Sequence, residues 1–266
     1  MSSPSPPKGE YSPRPPSSLR SPCPLLNSLA NHGYLPRSGR DFTQSDLSSA
    51  LSQAGLSPIL RAILSSPVFL EYHNSKSSPP SKPKKSLLNP WSLLFSFFGM
   101  RDPNQFNSSG VPVLNLDQIA REGIAEHDIS LTRLDRSQGD FLAAQPGLVQ
   151  ELLAISNDGK YITLEDLAAL RKRRIEKRMS EDPDKITYGS REHRISCTEI
   201  ALVLCVFGDG KRVPLEYIRA IFEEERLPTK EGWEKRGGWW WGTLGLKELG
   251  SVSKTVREVV EWKAVE

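Results

Sequence analysis

The run from Ile195 to Phe207 limits the possible folds of this chain most, because it is apolar on nearly every side. A helix that is apolar all round has to be buried against other elements, so this run predicts a central helix. The alternation of apolar and polar residues that is typical of strands is scarce in the rest of the chain. A chain of 266 residues is long enough to bury a sizeable core. The pattern therefore indicates an all-α fold and a single compact domain.

Helix start signals divide the rest of the chain into further helices. Pro24 and Pro58 stand where first helical residues are common, because the N–H that proline lacks has no partner at that position. Thr43 with Asp46 forms a capping-box pattern, and Thr163 with Asp166 repeats it. The helices predicted in this way cover residues 24–31, 44–55, 58–70, 116–121, 146–155, 164–180, 195–207, 215–225 and 246–262.

Two stretches of the chain have a composition unlike that of a packed domain. Residues 1–20 are rich in Ser and Pro, and residues 73–85 repeat this composition. Such segments bury little apolar surface and favour disorder. We therefore expect a disordered tail at residues 1–20 and one domain over residues 21–266, with an atypical insertion at about residues 73–110.

The predicted insertion combines a lysine cluster with an apolar run at residues 87–100 that contains Trp91. Fourteen residues with a proline are too short to cross a bilayer core of about 30 Å. One interpretation is peripheral membrane contact through residues 87–100, with the lysines and Trp91 at the level of the headgroups. The other is a loop that packs on the core or over a channel.

Charge and cysteine content exclude several classes of protein. The net charge of +3 is too small to indicate nucleic-acid binding. The basic run Arg171–Arg174 shares its helix with an apolar face, so it predicts a solvated helix face. Cys197 and Cys205 are eight residues apart, which is about 12 Å along a helix and too far for a disulfide. The first residues lack the apolar segment of a secretion signal, so we expect an intracellular protein.

Cys23 stands between Pro22 and Pro24 at the start of the first predicted helix. With Pro24 as the first helical residue, Cys23 becomes the N-cap. A thiolate at that position meets free backbone N–H groups and the positive end of the helix dipole, and both favour the charged form. A thiolate is a suitable ligand for iron. The alternative is a buried cysteine that acts as a small apolar group.

A second group of ligand-type side chains lies in the sequence EHDISLTR, residues 126–133. Glu126 and Ser130 are four residues apart, so on a helical turn their oxygens would lie on one side, with a main-chain carbonyl between them. Hard oxygen ligands of this kind select Mg²⁺ or a similar ion. The alternative is a charged surface loop.

Together, residues 24–37 and 126–133 resemble the haem-thiolate peroxidase family, which includes the fungal chloroperoxidases and the unspecific peroxygenases. The resemblance covers about residues 20–72 and 111–255. The longer peroxygenases have a glycine in place of His127, so the chain is most similar to the short, histidine-containing branch.

This resemblance implies a compact helical fold around haem b, with Cys23 as the axial ligand of the iron. In the family, the second segment holds Mg²⁺ or Mn²⁺ against a haem propionate. Carried over to this chain, the metal ligands are Glu126, the carbonyl of His127 and the hydroxyl of Ser130.

The resemblance also implies an acid–base pair. The family has a glutamate in a segment that corresponds to the start of the apolar helix, and Glu199 occupies that position. Apolar neighbours would raise the pKa of Glu199, which suits a residue that accepts and returns a proton. His127 would orient the carboxylate, and Asp128 is positioned to fix the tautomer of His127. The alternative is that Ser196 and Glu199 form a capping box. Glu192 and His193 form a rival acid–base group.

The function implied by the resemblance is that of a peroxidase or peroxygenase. Its partners would be hydrogen peroxide and a small organic substrate, and its reactions oxygen insertion, one-electron oxidation or halide oxidation. The expected intracellular location favours oxidation of a secondary metabolite. The alternative function is non-catalytic: a haem-binding or membrane-associated protein that retains the fold.

Overall fold

The computed structural model describes residues 6–72, 99–237 and 242–262, and this part of the chain is mainly helical. The helices are α1 (Pro24–Asn31), α2 (Gln44–Ser52), α3 (Pro58–Ser65), α4 (Pro146–Leu153), α5 (Leu164–Glu181), α6 (Ser190–Phe207), α7 (Leu215–Phe222) and α8 (Leu246–Val260). Short 3₁₀ helices cover Pro67–Phe69, Leu116–Ala120, Arg136–Gln138, Pro183–Lys185 and Pro228–Glu231. The all-α class predicted from the pattern is confirmed.

Two small antiparallel sheets connect distant parts of the chain. Strand β1 (Phe42–Thr43) pairs with β2 (Val113–Leu114), and β3 (Tyr161–Thr163) pairs with β4 (Arg212–Pro214). The first pair brings the segment before α2 against the segment that leads into the 126–133 region. The second pair aligns the starts of α5 and α7, since each helix follows its strand directly.

Helix α6 is the central helix, and it begins earlier than predicted. It packs along α8, which also contacts α5. Its first turn is capped by Glu192, whose carboxylate accepts a hydrogen bond of 3.0 Å from the amide of Gly189. The polar sequence at residues 190–194 hides this start, because only His193 of that group is buried. Cys197 and Cys205 lie on α6 as free thiols, as their spacing predicted.

The capping boxes predicted for α2 and α5 are confirmed. The Thr43 and Thr163 hydroxyls accept hydrogen bonds from the amides of Asp46 and Asp166, at 3.2 and 3.1 Å. The helix predicted over residues 58–70 ends at Ser65, because Pro67 has no N–H for the helical ladder and its ring clashes with the preceding turn.

Residues 6–20 follow a defined path along α1, where composition predicted a disordered tail. The amide of Gly9 donates to the carbonyl of His32 at 2.8 Å, and the amide of Leu19 donates to the carbonyl of Ser38 at 2.8 Å. The His32 ring returns a bond from Nδ1 to the Gly9 carbonyl at 2.8 Å. The segment is held by its backbone groups, which composition does not reveal.

The predicted insertion lies largely outside the described residues, which resume at Gly99. Met100 is buried, and its amide donates to the Val68 carbonyl at 2.9 Å. The guanidinium of Arg101 donates to the Phe69 carbonyl at 3.0 Å. Residues 99–101 therefore pack into the core, and membrane contact through residues 87–98 stays a prediction. Within the described ranges, none of the helices has the length and apolar character needed to cross a membrane.

The basic run of α5 is only half solvated, so the prediction for it was partly wrong. Lys172 and Arg173 are exposed, but Arg174 is buried and Arg171 is 1% exposed. Residues three or four apart share a helix face, so Arg171 and Arg174 turn toward the core. Arg171 Nη2 donates to the Tyr188 hydroxyl at 2.8 Å. The charge of the buried Arg171 acts on His127 and lowers its pKa.

Candidate active site

Cys23 is the N-cap of α1, and its electrostatic surroundings are mixed. Burial raises the pKa of its thiol, and the backbone N–H groups of Leu26 and Leu25 oppose this effect. The negative charge of Glu199 also raises this pKa, and the positive charge of Arg133 lowers it. The helix start therefore acts in the predicted direction, but burial outweighs it. A bound metal ion would remove the proton, because a coordinating thiol is deprotonated.

Helix α1 is anchored by a buried amide. The side chain of Asn27 accepts from the amide of Ser21 at 2.9 Å and donates to the Ser21 carbonyl at 2.9 Å. It also donates to the carboxylate of Glu225 at 2.7 Å. Asn31 donates to the Glu225 carbonyl at 2.9 Å. These bonds on both sides of the helix start fix the direction of Cys23.

The structure brings His127 and Glu199 together from distant parts of the chain, with His127 Nε2 lying 3.1 Å from Glu199 Oε2. His127 Nδ1 donates to the main-chain carbonyl of Asp128 at 2.8 Å, which fixes a proton on Nδ1. The contact with Glu199 therefore holds one further proton, shared between Nε2 and Oε2. Asp128 acts on the tautomer through its carbonyl, since its carboxylate accepts from the amides of Thr187 and Arg136 at 2.8 and 3.3 Å.

The charge of the pair follows from its surroundings. Burial acts to lower the pKa of His127, but the negative charge and hydrogen bond of Glu199 outweigh it, so the pKa of His127 is raised. The His127 side chain is 3% exposed, whereas that of Glu199 is 57% exposed. Glu199 therefore presents an exposed carboxylate, and the raised pKa of His127 favours the imidazole as the holder of the shared proton.

The alternatives for Glu199 do not match the structure. Because α6 begins at Ser190, Glu199 lies in the third turn of the helix, and the amide at the helix start is bound by Glu192 instead. A capping box of Ser196 and Glu199 is therefore wrong. Glu192 also pairs with Arg191 at 3.1 Å, so it is committed to the helix start.

The 126–130 segment is not a helical turn, so the geometric basis predicted for the metal ligands was wrong. Ile129 has a φ of 62°, which is a strained left-handed conformation for a β-branched residue. Glu126 Oε2 accepts from Arg136 Nη2 at 3.2 Å, and burial still raises the pKa of Glu126. Among the described residues, no group of three His, Cys, Asp or Glu side chains is placed to hold a metal. Glu126 and Ser130 offer one carboxylate and one hydroxyl, which are hard oxygen donors.

Asp135 holds this strained segment in place, a role that no pattern in the sequence indicated. Its Oδ1 accepts from the amide of Ile129 at 2.6 Å, and its Oδ2 pairs with Arg178 Nε at 2.7 Å. Both side chains are buried. The turn that carries His127 is thereby tied to α5.

Arg133 is a further residue of the candidate site. In the sequence, only its place at the end of the 126–133 segment pointed to this residue. Its Nε donates to the Leu142 carbonyl at 2.9 Å. Its Nη2 is buried with no hydrogen-bond partner among the described residues, and the Glu225 carboxylate lies 3.8 Å away. Burial lowers the pKa of Arg133, and the negative charges of Glu225, Cys23 and Glu199 oppose this.

These observations fit a haem group. Cys23 offers a sulfur ligand within electrostatic range of Glu199, and Arg133 offers an unused N–H to an anionic group such as a propionate. Cys23 would hold the iron, and Arg133 would face the negative edge of the group.

The all-α fold, the cysteine at a helix start and the histidine–glutamate pair are the features that the resemblance to haem-thiolate peroxidases predicted. The family model described as "Peroxidase, family 2" matches residues 9–238, so the chain belongs to this peroxidase family. The match confirms the resemblance drawn from residues 24–37 and 126–133.

Three characterised relatives show the same relationship at low identity. The chain is 30% identical to a chloroperoxidase of Leptoxyphium fumago over 127 residues, which is 47% of this chain and 26% of that protein. It is 25% identical to an aromatic peroxygenase of Coprinellus radians over 226 residues, 82% of this chain and 80% of that one. It is 26% identical to an aromatic peroxygenase of Cyclocybe aegerita over 226 residues, 82% of this chain and 56% of that one. The chain thus spans about a quarter of the first of these relatives and just over half of the third.

The coupling of the pair predicts a change in the titration of His127. Glu199→Gln removes the charge that raises the pKa of His127 and leaves burial and the charge of Arg171, which lower it. We expect the pKa to fall from above the usual value of about 6.5 to below it. Nitrogen-15 NMR titration of the imidazoles measures this shift. His193, whose pKa burial and Arg171 already lower to about 4, is the internal control.

The same shift has a consequence for stability. A group whose pKa is raised on folding stabilises the fold below its unfolded pKa and loses this contribution as the pH rises through the folded value. The difference in free energy of unfolding between the unaltered protein and Glu199→Gln should therefore decrease as the pH rises above about 6.5. An unchanged pKa of His127 in the variant would contradict the coupling.

Proposed function

We propose that this protein is a peroxide-dependent oxidoreductase that binds haem b through Cys23 and oxidises or oxygenates a small organic molecule. The observation that carries this proposal is the 3.1 Å contact between His127 and Glu199, because the charge of Glu199 also acts on Cys23. An acid–base pair thus lies within electrostatic range of the candidate iron ligand. Membership of the peroxidase family supports the same reaction class.

Each residue of the site has a distinct role in the proposed reaction. When bound, the haem supplies the redox chemistry by which the O–O bond of peroxide is cleaved, and a thiolate ligand favours that cleavage. The open carboxylate of Glu199 takes a proton from one peroxide oxygen and returns it to the other, which leaves as water. His127 holds Glu199 in position and balances its charge, and the carbonyl of Asp128 keeps the His127 ring oriented.

The names of the relatives suggest the first substrates to examine. Two of them are aromatic peroxygenases and one is a chloroperoxidase. We infer that a small aromatic molecule is the substrate class to test first, with chloride oxidation as the second reaction. The His127–Glu199 contact favours this catalytic function over a non-catalytic haem protein, since haem binding alone needs no acid–base pair.

We also propose that Glu126, the His127 carbonyl and Ser130 hold Mg²⁺ or Mn²⁺ beside the haem. Glu126 is a buried carboxylate whose pKa is raised by burial even though Arg136 contacts it. A divalent ion would offset this cost of burying the charge. Its hard oxygen donors are those that Mg²⁺ prefers.

The haem ligand is tested by the spectrum of the ferrous carbonyl complex. The unaltered protein should show the strongly red-shifted Soret band of a thiolate ligand, and Cys23→Ala should abolish it. Cys205→Ala is the matched control, since that thiol is buried in α6, and it should keep the band. An ordinary haem carbonyl spectrum in the unaltered protein would overturn the proposal.

The role of Glu199 is tested by the rate at which peroxide reacts with the haem. A positioned acid–base side chain contributes about 10²–10⁴ in rate, so Glu199→Gln should slow the reaction on that scale in stopped-flow absorbance. His127→Ala should slow it less, because His127 acts through Glu199. Glu192→Gln is the control, because Glu192 caps α6 and should leave the rate unchanged. An unchanged rate in Glu199→Gln would assign the acid–base role elsewhere.

The metal proposal is tested by elemental analysis of the purified protein. One divalent ion per haem is expected, and Glu126→Gln should lower both the metal content and haem retention. Glu165→Gln on the exposed face of α5 is the matched control and should change neither. Full haem occupancy without a divalent ion in the unaltered protein would contradict the metal site.

A further inference from the structure

A group of buried polar side chains lies behind the acid–base pair and takes no part in the proposed peroxide chemistry. We call it the Tyr188 cluster; it comprises Arg171, Tyr188, His193, Ser196 and Cys197, all of them buried. Five polar or polarisable side chains in one dry region are expensive unless they hydrogen-bond to each other. Their mutual contacts show where the phenolic proton of Tyr188 lies.

The hydrogen bonds of the cluster direct the phenolic proton toward His193. Arg171 Nη2 donates to the Tyr188 oxygen at 2.8 Å. The Tyr188 oxygen lies 3.0 Å from His193 Nδ1 and 3.2 Å from Ser196 Oγ. Burial and the charges of Arg171 and Arg257 lower the pKa of His193 to about 4, so its imidazole is neutral near pH 7. With the proton of the neutral ring on Nε2, which faces Cys197 Sγ at 3.7 Å, Nδ1 is free to accept the proton of the tyrosine.

Trp262 extends the cluster toward the protein surface. Its ring centroid lies 5.2 Å from that of Tyr188 and 4.8 Å from that of His193. Trp262 follows the end of α8 and is half-buried, so part of its indole meets solvent. Three oxidisable or proton-accepting rings therefore form a continuous contact from the interior to the surface.

The other end of the cluster is linked to the candidate active site through neighbouring residues. The amide of Thr187, the residue before Tyr188, donates to the Asp128 carboxylate at 2.8 Å. Ser196 precedes Glu199 by three residues on α6, which is about 4.5 Å along the helix axis and on the same face. The positive charge of Arg171 lowers the pKa of both His127 and His193, so its electrostatic effect reaches both the candidate active site and the cluster.

We propose that Tyr188, His193 and Trp262 form a path for single electrons between the active site and the surface, and that electron-rich phenols or arylamines are oxidised at Trp262. This inference rests on the proposed function, because the haem after its reaction with peroxide is the electron acceptor. It adds a second place of oxidation at the surface, for donors that do not reach the haem.

The electrons and protons of this path balance at each step. When bound and oxidised by peroxide, a haem would supply the acceptor for one electron from Tyr188, and the phenolic proton would move to His193 Nδ1, which leaves a neutral tyrosyl radical. Trp262 then gives one electron to this radical, and the proton returns from His193 to the Tyr188 oxygen. The Trp262 radical cation takes one electron from an external phenol, which loses its own proton to solvent and becomes a phenoxyl radical. Two phenols would be oxidised in this way for each peroxide, and the two protons they release balance the two that convert the remaining peroxide oxygen to water.

The transfer of the proton to His193 is what makes Tyr188 suitable for this role. Arg171 donates to the phenol and its guanidinium carbon lies 5.0 Å from the centre of the Tyr188 ring. A positive charge this close disfavours a tyrosine radical cation. Loss of the electron and loss of the proton therefore have to occur together, and His193 Nδ1 is in hydrogen-bond contact for this purpose.

The path is tested by locating the radical after peroxide is mixed with the haem-loaded protein. Freeze-quench electron paramagnetic resonance should show a tyrosyl signal that changes with ring-deuterated tyrosine and is lost in Tyr188→Phe. Tyr217→Phe is the matched control, because the Tyr217 hydroxyl bonds only to the Glu231 carbonyl among the described residues, and it should keep the signal. Trp262→Phe should prolong the Tyr188 radical, since the residue that refills it is gone. A signal that is the same in all four proteins would overturn the proposal.

The surface end is tested with reduced cytochrome c, a one-electron donor too large for any internal cavity. Trp262→Phe should lose most of the rate of cytochrome c oxidation and keep the rate for a small aromatic substrate. A purely structural role of the cluster would instead lower the melting temperature and reduce both rates together. Equal rates in Trp262→Phe and the unaltered protein would also overturn the surface site.

A photochemical experiment separates this inference from the proposed function. Flash-generated ruthenium(III) tris-bipyridine oxidises the resting protein without peroxide, and the radical should reach Tyr188 and be lost in Tyr188→Phe. If peroxide fails to react while this radical still forms, the peroxide function falls and the electron path stands. If peroxide reacts normally but neither method gives a radical that depends on Tyr188, the path falls and the function stands.

Discussion

The buried carboxylate of Asp135 holds the candidate site together. One of its oxygens binds the amide of Ile129 and the other binds Arg178 of α5. A left-handed β-branched residue costs of order 1–3 kcal/mol. Removing one partner of a buried ion pair costs about 3–5 kcal/mol. Loss of Asp135 would therefore remove one charge partner of the buried Arg178 and the acceptor of the Ile129 amide, and the position of His127, two residues earlier, depends on both contacts.

The site combines segments that approach it from three directions, and their charges are interdependent. Cys23 comes from the start of α1, His127 from the strained turn and Glu199 from the middle of α6. Burial disfavours the charged forms of both Cys23 and His127, and neighbouring charges decide the outcome. For His127 the carboxylate prevails and the pKa is raised. For Cys23 burial prevails until a metal ion takes the place of the proton.

Local signals predicted the helices well, and contacts between distant residues account for what they missed. Pro24 and the Thr163 capping box act within one turn, so they can be recognised in the sequence. The side chain of Arg171 turns inward because Tyr188 offers it a partner 17 residues away, and a basic run alone suggests solvent. The 126–133 segment was predicted to be a ligand group, but the left-handed Ile129 depends on Asp135 and could not be inferred from residue spacing. The contact of His127 with Glu199 was therefore expected from the motifs, while the geometry that positions His127 was not.

The hydrogen bond from His127 to the Asp128 carbonyl has a further consequence for the direction of proton flow. A carbonyl oxygen accepts a hydrogen bond but does not carry a proton onward. The His127 ring therefore passes no proton through Nδ1, on the side away from Glu199. Among the described residues, the other ring nitrogen contacts Glu199, whose side chain is 57% exposed. The pair thus exchanges protons through the exposed side of Glu199 alone. A proton taken from a bound molecule leaves from that side, either back to the molecule bound there or to solvent.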